Sequence, residues 1–187
     1  MKISLIGPTN IDNLSKATGR SVAEIETLAA EIGRELAIGG HELTTMYNYG
    51  GMLKVAGDAY RKAGGKLRML YTRNDFDWET VPYLSNLAFA DIQLETKDWH
   101  ELLWTLITKT DVVLCVGLSS GVFTEMGYMN WNFQEKKGAK ALVGIKELIR
   151  GGEFPIELTL QMRDFARVVP FSELKTESLK NIVHKVK

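Results

Sequence analysis

The 187-residue sequence predicts an α/β fold: a three-layer, doubly wound (Rossmann-like), mostly parallel sheet with helices on both faces. Short apolar, β-branched runs alternate along the chain with amphipathic helical patterns, as a parallel sheet covered by helices requires. Small-residue turns stand where strands would end and helices begin, at 7–10, 49–51 and 117–121. The length suits one domain over 1–187, large enough to bury a core without metals or disulfides.

Each element has its own local reason. Residues 3–6 make the first strand, ended by Gly7, Pro8, Thr9 and Asn10. Ser21 and Glu24 form a capping box before a helix striped by Ile25, Leu28, Ala29, Ile32 and Leu36, which stops at Gly39-Gly40. A second strand is expected over 41–46. Gly50 and Gly51 then open a helix running to Ala63, and Gly64-Gly65 precede a third strand over 66–71. A weaker fourth strand (91–94) leads to a helix over 99–108, where Trp99 and Trp104 are read as core or subunit-contact residues. Further strands are expected at 111–116, 139–145 and 167–170, with a terminal helix over 172–186. Between strand three and strand four, residues 72–86 carry Asp75, Asp77, Trp78, Glu79 and Tyr83 without periodicity, and read either as a lid or as a plain connection.

Composition removes several classes of function. Lys plus Arg and Asp plus Glu balance at 23 each, leaving no basic footprint for nucleic acid. Cys115 is the sole cysteine and lies within an apolar run, so it reads as a buried thiol in a reducing, cytoplasmic setting. No apolar stretch approaches the roughly 18 residues of a membrane span. His41, His100 and His184 are scattered without further ligands at metal spacing, and neither a metal nor a resident cofactor is read from the residues.

The most informative stretch is 110–132. An apolar run breaks at Gly117-Leu118-Ser119-Ser120-Gly121, and a helical spacing then begins with Ser119 or Ser120 as N-cap. This geometry presents free backbone N–H groups to an anion, usually a phosphate. Glu125 sits in the first turns of the helix and has two readings. It either complements the helix dipole, or acts as nucleophile or general base on a bound sugar phosphate. Since ligands of such sheets gather at the strands' carboxyl ends, the three turns together outline one nucleotide-sized crevice.

The segment Gly121-Val122-Phe123-Thr124-Glu125 resembles the second half of the P-G-G-x-G-T-x-x-E motif of the LOG, or "lysine decarboxylase-like", family of Rossmann-type nucleotide-binding proteins. Read from Ser120 to Tyr128, the same stretch resembles the S-G-T-x-x-E-x-G-Y segment of nucleoside 2-deoxyribosyltransferases. Residues 51–59 with Ala63-Gly64-Gly65 are similar to the G-L-M-G-x-V-A-x-A…A-G-G run of the LOG-like group. Both resemblances imply attack on an N-glycosidic bond with Glu125 as the catalytic carboxylate. With the three turns, they give Gly7 to Asn10, Gly50, Gly51, Gly117, Ser119, Ser120, Gly121 and Thr124 as candidates to hold a nucleotide or other phosphorylated small molecule, and the LOG resemblance implies a homodimer or larger assembly.

The sequence departs from the LOG pattern in four places. Leu118 and Ser119 replace the glycine pair, Val122 the threonine, residues 45–48 a triple-glycine turn, and Leu102-Leu103 the family's Arg-Lys. Arg73 is then the candidate substitute cation and His100 a candidate acid or base, while Tyr128 and Trp131 read as core first and base-stacking second. Two classes follow. One is an enzyme at the N-glycosidic bond, either a nucleoside 5′-monophosphate phosphoribohydrolase or deoxyribosyltransferase-like. The other is a non-catalytic carrier or sensor, like the molybdenum-cofactor carrier proteins, which resemble the LOG group.

Overall fold

The computed structural model describes residues 1–74, 83–176, 179 and 181. Its strands are β1 (Lys2–Ile6), β2 (Glu42–Met46), β3 (Arg68–Thr72), β4 (Ile92–Thr96), β5 (Val112–Cys115), β6 (Ala141–Ile145) and β7 (Ala166–Val169). They form one seven-stranded parallel sheet in the order β4-β3-β2-β1-β5-β6-β7. The connections hold α1 (Ile11–Thr18), α2 (Val22–Ile38), α3 (Gly51–Lys62), α4 (Trp99–Thr108), α5 (Ser120–Gln134) and α6 (Ile156–Met162), with α7 (Phe171–Thr176) after the last strand. Helix α2 packs on α3, and α4 on α5. Right-handed crossovers put these two pairs on opposite faces of the sheet, because the winding direction reverses between β1 and β5. This is the three-layer, doubly wound architecture that the alternating pattern predicts.

The central strands explain their own sequences. Ile3, Leu5, Ile6 and all of β5 are wholly inaccessible, as strands covered on both faces must be. Ser4 is the polar exception on β1, and its hydroxyl is satisfied by donating to the Leu106 carbonyl of α4 at 2.5 Å.

Several elements differ from the expectation. Helices α1 and α6 are new. Each buries a single residue, Leu14 and Met162 respectively, so neither shows an apolar stripe in sequence. Strand β4 runs on to Thr96, drawn out by the register that sets Tyr71 against Glu95 and Thr72 against Thr96. Strand β7 starts at Ala166, β6 at Ala141, and His41 precedes β2. Of the tryptophans read as core or subunit-contact residues, Trp104 and Trp131 are exposed, Trp131 at 69 %, so neither is in the core of the chain. Trp99 is half-buried and packs against Tyr47. Asp75, Asp77, Trp78 and Glu79 of the candidate lid lie outside the described residues, as does His184 with most of the expected terminal helix.

Gly33 lets α2 lie close against α3: a Cβ there would collide with the carbonyl oxygen of Ala56 on the facing helix. The neighbour is backbone and cannot turn aside. Gly127, on the exposed side of α5, has open space instead. Denaturant unfolding is therefore expected to show Gly33→Ala destabilised by about 2 kcal/mol or more through overpacking. Gly127→Ala is expected to gain about 0.5–1 kcal/mol from helix propensity alone.

Candidate functional site

The strand order reverses between β1 and β5, so the loops leaving their carboxyl ends diverge and leave a crevice. On one side lies the turn after β1. Its Asn10 caps α1, the side-chain oxygen accepting from the Asn13 amide at 3.0 Å. Its Pro8 carbonyl accepts from the Met52 amide at 3.2 Å, which ties the turn to the start of α3. That contact explains Gly51: at φ 48°, a Cβ there would strike the Thr9 backbone.

On the other side, Gly117 takes φ 122° to turn the chain out of β5, and Ser119 caps α5. The Ser119 hydroxyl accepts from the Val122 amide at 3.4 Å, and the Ser119 carbonyl accepts from the Phe123 amide at 3.0 Å. As the first amides of the helix, those of Ser120 and Gly121 have no intrahelical acceptor and carry the partial positive charge of the helix start.

Between the two turns is a cleft of about 410 Å³. Its lining brings together Gly7, Pro8, Thr9, Asn10, Ser119, Ser120, Gly121 and Glu125 from the sequence reading. Asn13, Leu14, Met46, Asn48, Leu118 and Val122 complete it. Asn48 is the most consequential residue that the sequence reading did not assign to the site. Its only local signal is a polar residue just past the carboxyl end of β2, which many surface loops share.

Glu125 projects from α5 to the cleft and is only 4 % exposed. Among the described residues no group donates to its Oε2, and the Oδ1 of Asn48 is likewise buried without a partner among them. Burial pushes the Glu125 carboxyl up to about 8, against an ordinary 4.5. At neutral pH it is mainly the neutral acid, able to donate one hydrogen bond and accept others. The dipole-complementing reading of Glu125, which needs a charged carboxylate at the surface, does not describe this group. Nearby Cys115 is fully buried, its thiol donating to the Gly117 carbonyl at 3.2 Å, and burial raises it to about 12. It is a core thiol and not a nucleophile.

The remaining predicted site residues fall elsewhere. Gly50 and Gly51 pack on Thr9 behind the cleft wall, and Gly117 shapes the turn without lining it. The Thr124 hydroxyl donates back to the Ser120 carbonyl on the exposed side of α5. Arg73 is 57 % exposed at the end of β3, paired with Glu95 at 3.5 Å and set over the Tyr71 ring, away from the cleft lining. His100 faces the Tyr128 hydroxyl at 3.1 Å across the α4–α5 contact and is not part of the lining either. Leu102 and Leu103, at the positions of the LOG Arg-Lys pair, are 0 % and 3 % exposed, so those positions belong to the core.

The Glu125 carboxyl makes stability depend on pH in a defined direction. Folded, it keeps its proton up to about pH 8; unfolded, it releases it near 4.5. Unfolding between these values therefore releases a proton, and the stabilisation present below 4.5 is lost as pH rises through about 8. Thermal unfolding from pH 5 to 9 is expected to show Tm of the wild type falling relative to Glu125→Gln. The variant, whose amide never ionises, should be the more stable of the two at pH 9.

No protein-family model matches the chain, and no curated protein matches it. The LOG resemblance therefore has no family match behind it. Solved structures do match. The molybdenum cofactor carrier protein of Chlamydomonas reinhardtii superimposes with a TM-score of 0.68 at 18 % identity, over 98 % of both chains. A further structure of that alga's carrier protein gives 0.66 at 18 % identity over the same shares. The molybdenum cofactor binding protein of the phototrophic bacterium Rippkaea orientalis gives 0.64 at 17 % identity, over 97 % of this chain and 96 % of that one. At such identities the likeness shows the shared Rossmann-like fold.

Proposed function

We propose that this protein binds a phosphorylated, hydrogen-bond-donating heterocyclic ligand in the switch-point cleft, and carries or senses it without turning it over. A molybdenum-cofactor-type phosphorylated pterin is the first candidate, and nucleotides are the related class. The observation that carries this reading is the pair of buried acceptors without a partner among the described residues, Glu125 Oε2 and Asn48 Oδ1, in one cleft with Ser120 and Gly121, whose amides a helix start leaves without an intrahelical acceptor. Leaving a buried polar atom unsatisfied costs about 1–3 kcal/mol, so both acceptors favour a ligand with N–H or O–H donors. The two amides favour an anion. Likeness of fold to proteins that carry or bind the molybdenum cofactor supports the same choice.

The donor set fits an organic group better than a bare ion. Among the described residues no cluster of three or more His, Cys, Asp or Glu is placed to hold a metal. The metal chemistry of such a cofactor would remain the cofactor's own. This chain's part is to hold a phosphate at Ser120 and Gly121, read donors at Glu125 and Asn48, and pack an apolar body against Leu14, Met46 and Val122.

The second reading is hydrolysis or transfer at an N-glycosidic bond, favoured by a carboxyl group retained at Glu125. Two observations weigh against it. A nucleophile or base must be ionised, whereas burial holds Glu125 mainly protonated at neutral pH. The cation that LOG enzymes place at positions 102 and 103 is replaced by buried leucine.

Calorimetry on a panel of nucleoside monophosphates, their dephosphorylated forms and a phosphorylated pterin tests the first reading. Phosphorylated members are expected to bind at least tenfold more tightly than their dephosphorylated forms, and Gly121→Asp to abolish that preference. Glu125→Gln should keep binding within about threefold, because it mimics the neutral acid. Base release by the wild type that falls by orders of magnitude in Glu125→Gln would instead establish the enzyme.

We also propose a homodimer or larger assembly. Phe123 and Trp131 on α5, with Ile156 and Leu160 on α6, are exposed apolar side chains suited to an interface core. Light scattering at tens of micromolar is expected to give at least twice the mass of one chain, and a monomer would end the proposal.

A further inference from the structure

A different surface lies at the amino ends of the strands, where α5 ends and the chain turns into β6. The helix closes in a Schellman pattern: the Lys136 amide donates to the Phe133 carbonyl at 2.9 Å and the Lys137 amide to the Asn132 carbonyl at 2.8 Å. Lys136 takes φ 54° to close it, and among the described residues it is the one non-glycine with positive φ. Glycine is the residue favoured at that position, because a Cβ is strained in the left-handed region. A lysine gains some of this back from the helix dipole, but Lys137 supplies that charge without the strain. The position therefore holds a side chain against its local preference.

Lys136, Lys137 and Lys140 surround a pocket of about 470 Å³ floored by Phe133, Gly138 and Ala139. Phe133 is held in place by stacking on Phe165, ring centroids 4.0 Å apart. All three lysines are exposed, and among the described residues none of them forms an ion pair. Glu135 is the only carboxylate between 131 and 140. On a chain of zero net charge, this is a local concentration of positive charge around a recessed apolar floor.

We propose that this pocket docks an acidic segment of a partner protein, with an apolar side chain inserted over Phe133 and flanking carboxylates paired to Lys136, Lys137 and Lys140. An apolar centre inside a charged rim is how protein interfaces are built. A second copy of this chain in a symmetric contact would set lysines against lysines, which disfavours it as the occupant. A recessed floor takes an inserted side chain, whereas a lipid surface needs a protruding one. Because the ligand cleft opens at the carboxyl ends of the strands, a partner held here leaves it clear. The proposal does not depend on which ligand the cleft binds.

Panning a displayed library of random twelve-residue peptides against the full chain tests it. Peptides combining several Asp or Glu with a large apolar residue are expected to be enriched. Their binding should weaken at least tenfold in the triple variant Lys136→Glu, Lys137→Glu, Lys140→Glu, shown to be folded by circular dichroism. Replacing the apolar residue of the selected peptide by serine should weaken it comparably with the protein unchanged. Enrichment without acidic bias, equal binding to the triple variant, or displacement of the peptide by anionic lipid vesicles would each overturn the proposal.

Discussion

The pairing of β1 with β5, from Ile3 opposite Val112 to Ile6 opposite Cys115, is the constraint on which the rest of the molecule depends. These strands are more than 100 residues apart in sequence, and both are covered on each face by helices. Their junction is also where the winding reverses, so the loops beyond them must part. Gly7 marks how tightly the junction is drawn: a Cβ there would come within 2.6 Å of the Val116 side chain. The apolar strands that build the core thus also open the cleft, and no separate element is needed to make a site.

The cleft contains a tension that stability alone does not explain. Among the described residues Glu125 is a carboxyl group buried without a partner for one oxygen, and Asn48 across the site has the same deficit. A protein selected only to fold would place apolar residues at both positions, or satisfy them internally. Burial answers part of the problem by protonating Glu125, which removes the charge but leaves an acceptor unfilled. What remains is an acceptor open to a donor from within the cleft. The same burial lowers the carboxylate fraction that a nucleophile would need.

Opposite poles of the sheet have different chemistry. At the carboxyl ends, backbone amides and buried acceptors line a cleft scaled to a small molecule. At the amino ends, charged side chains ring an apolar floor formed where α5 gives way to β6. Helix α5 joins the two, with its capped start at the first and its strained end at the second.

Much of this was legible in the sequence, and for local reasons. Helix α4 spans the residues expected for it, the Ser21–Glu24 capping box forms, and of the two N-cap candidates for α5 it is Ser119 that caps. The three-layer parallel sheet follows from alternation of buried runs with amphipathic helices. Each of these depends on residues within a few positions of one another, so spacing reports it directly. Short helices α1 and α6 escaped because one buried residue makes no period. Tertiary structure alone decided that Glu125 is desolvated, that Asn48 faces the same cleft, that Arg73 pairs with Glu95 elsewhere, and that Trp131 turns outward. Desolvation and hydrogen-bond partnership depend on which distant segments pack over a side chain, and the α4 and β1–β5 contacts that settle them join residues whose separation in sequence carries no periodic signal.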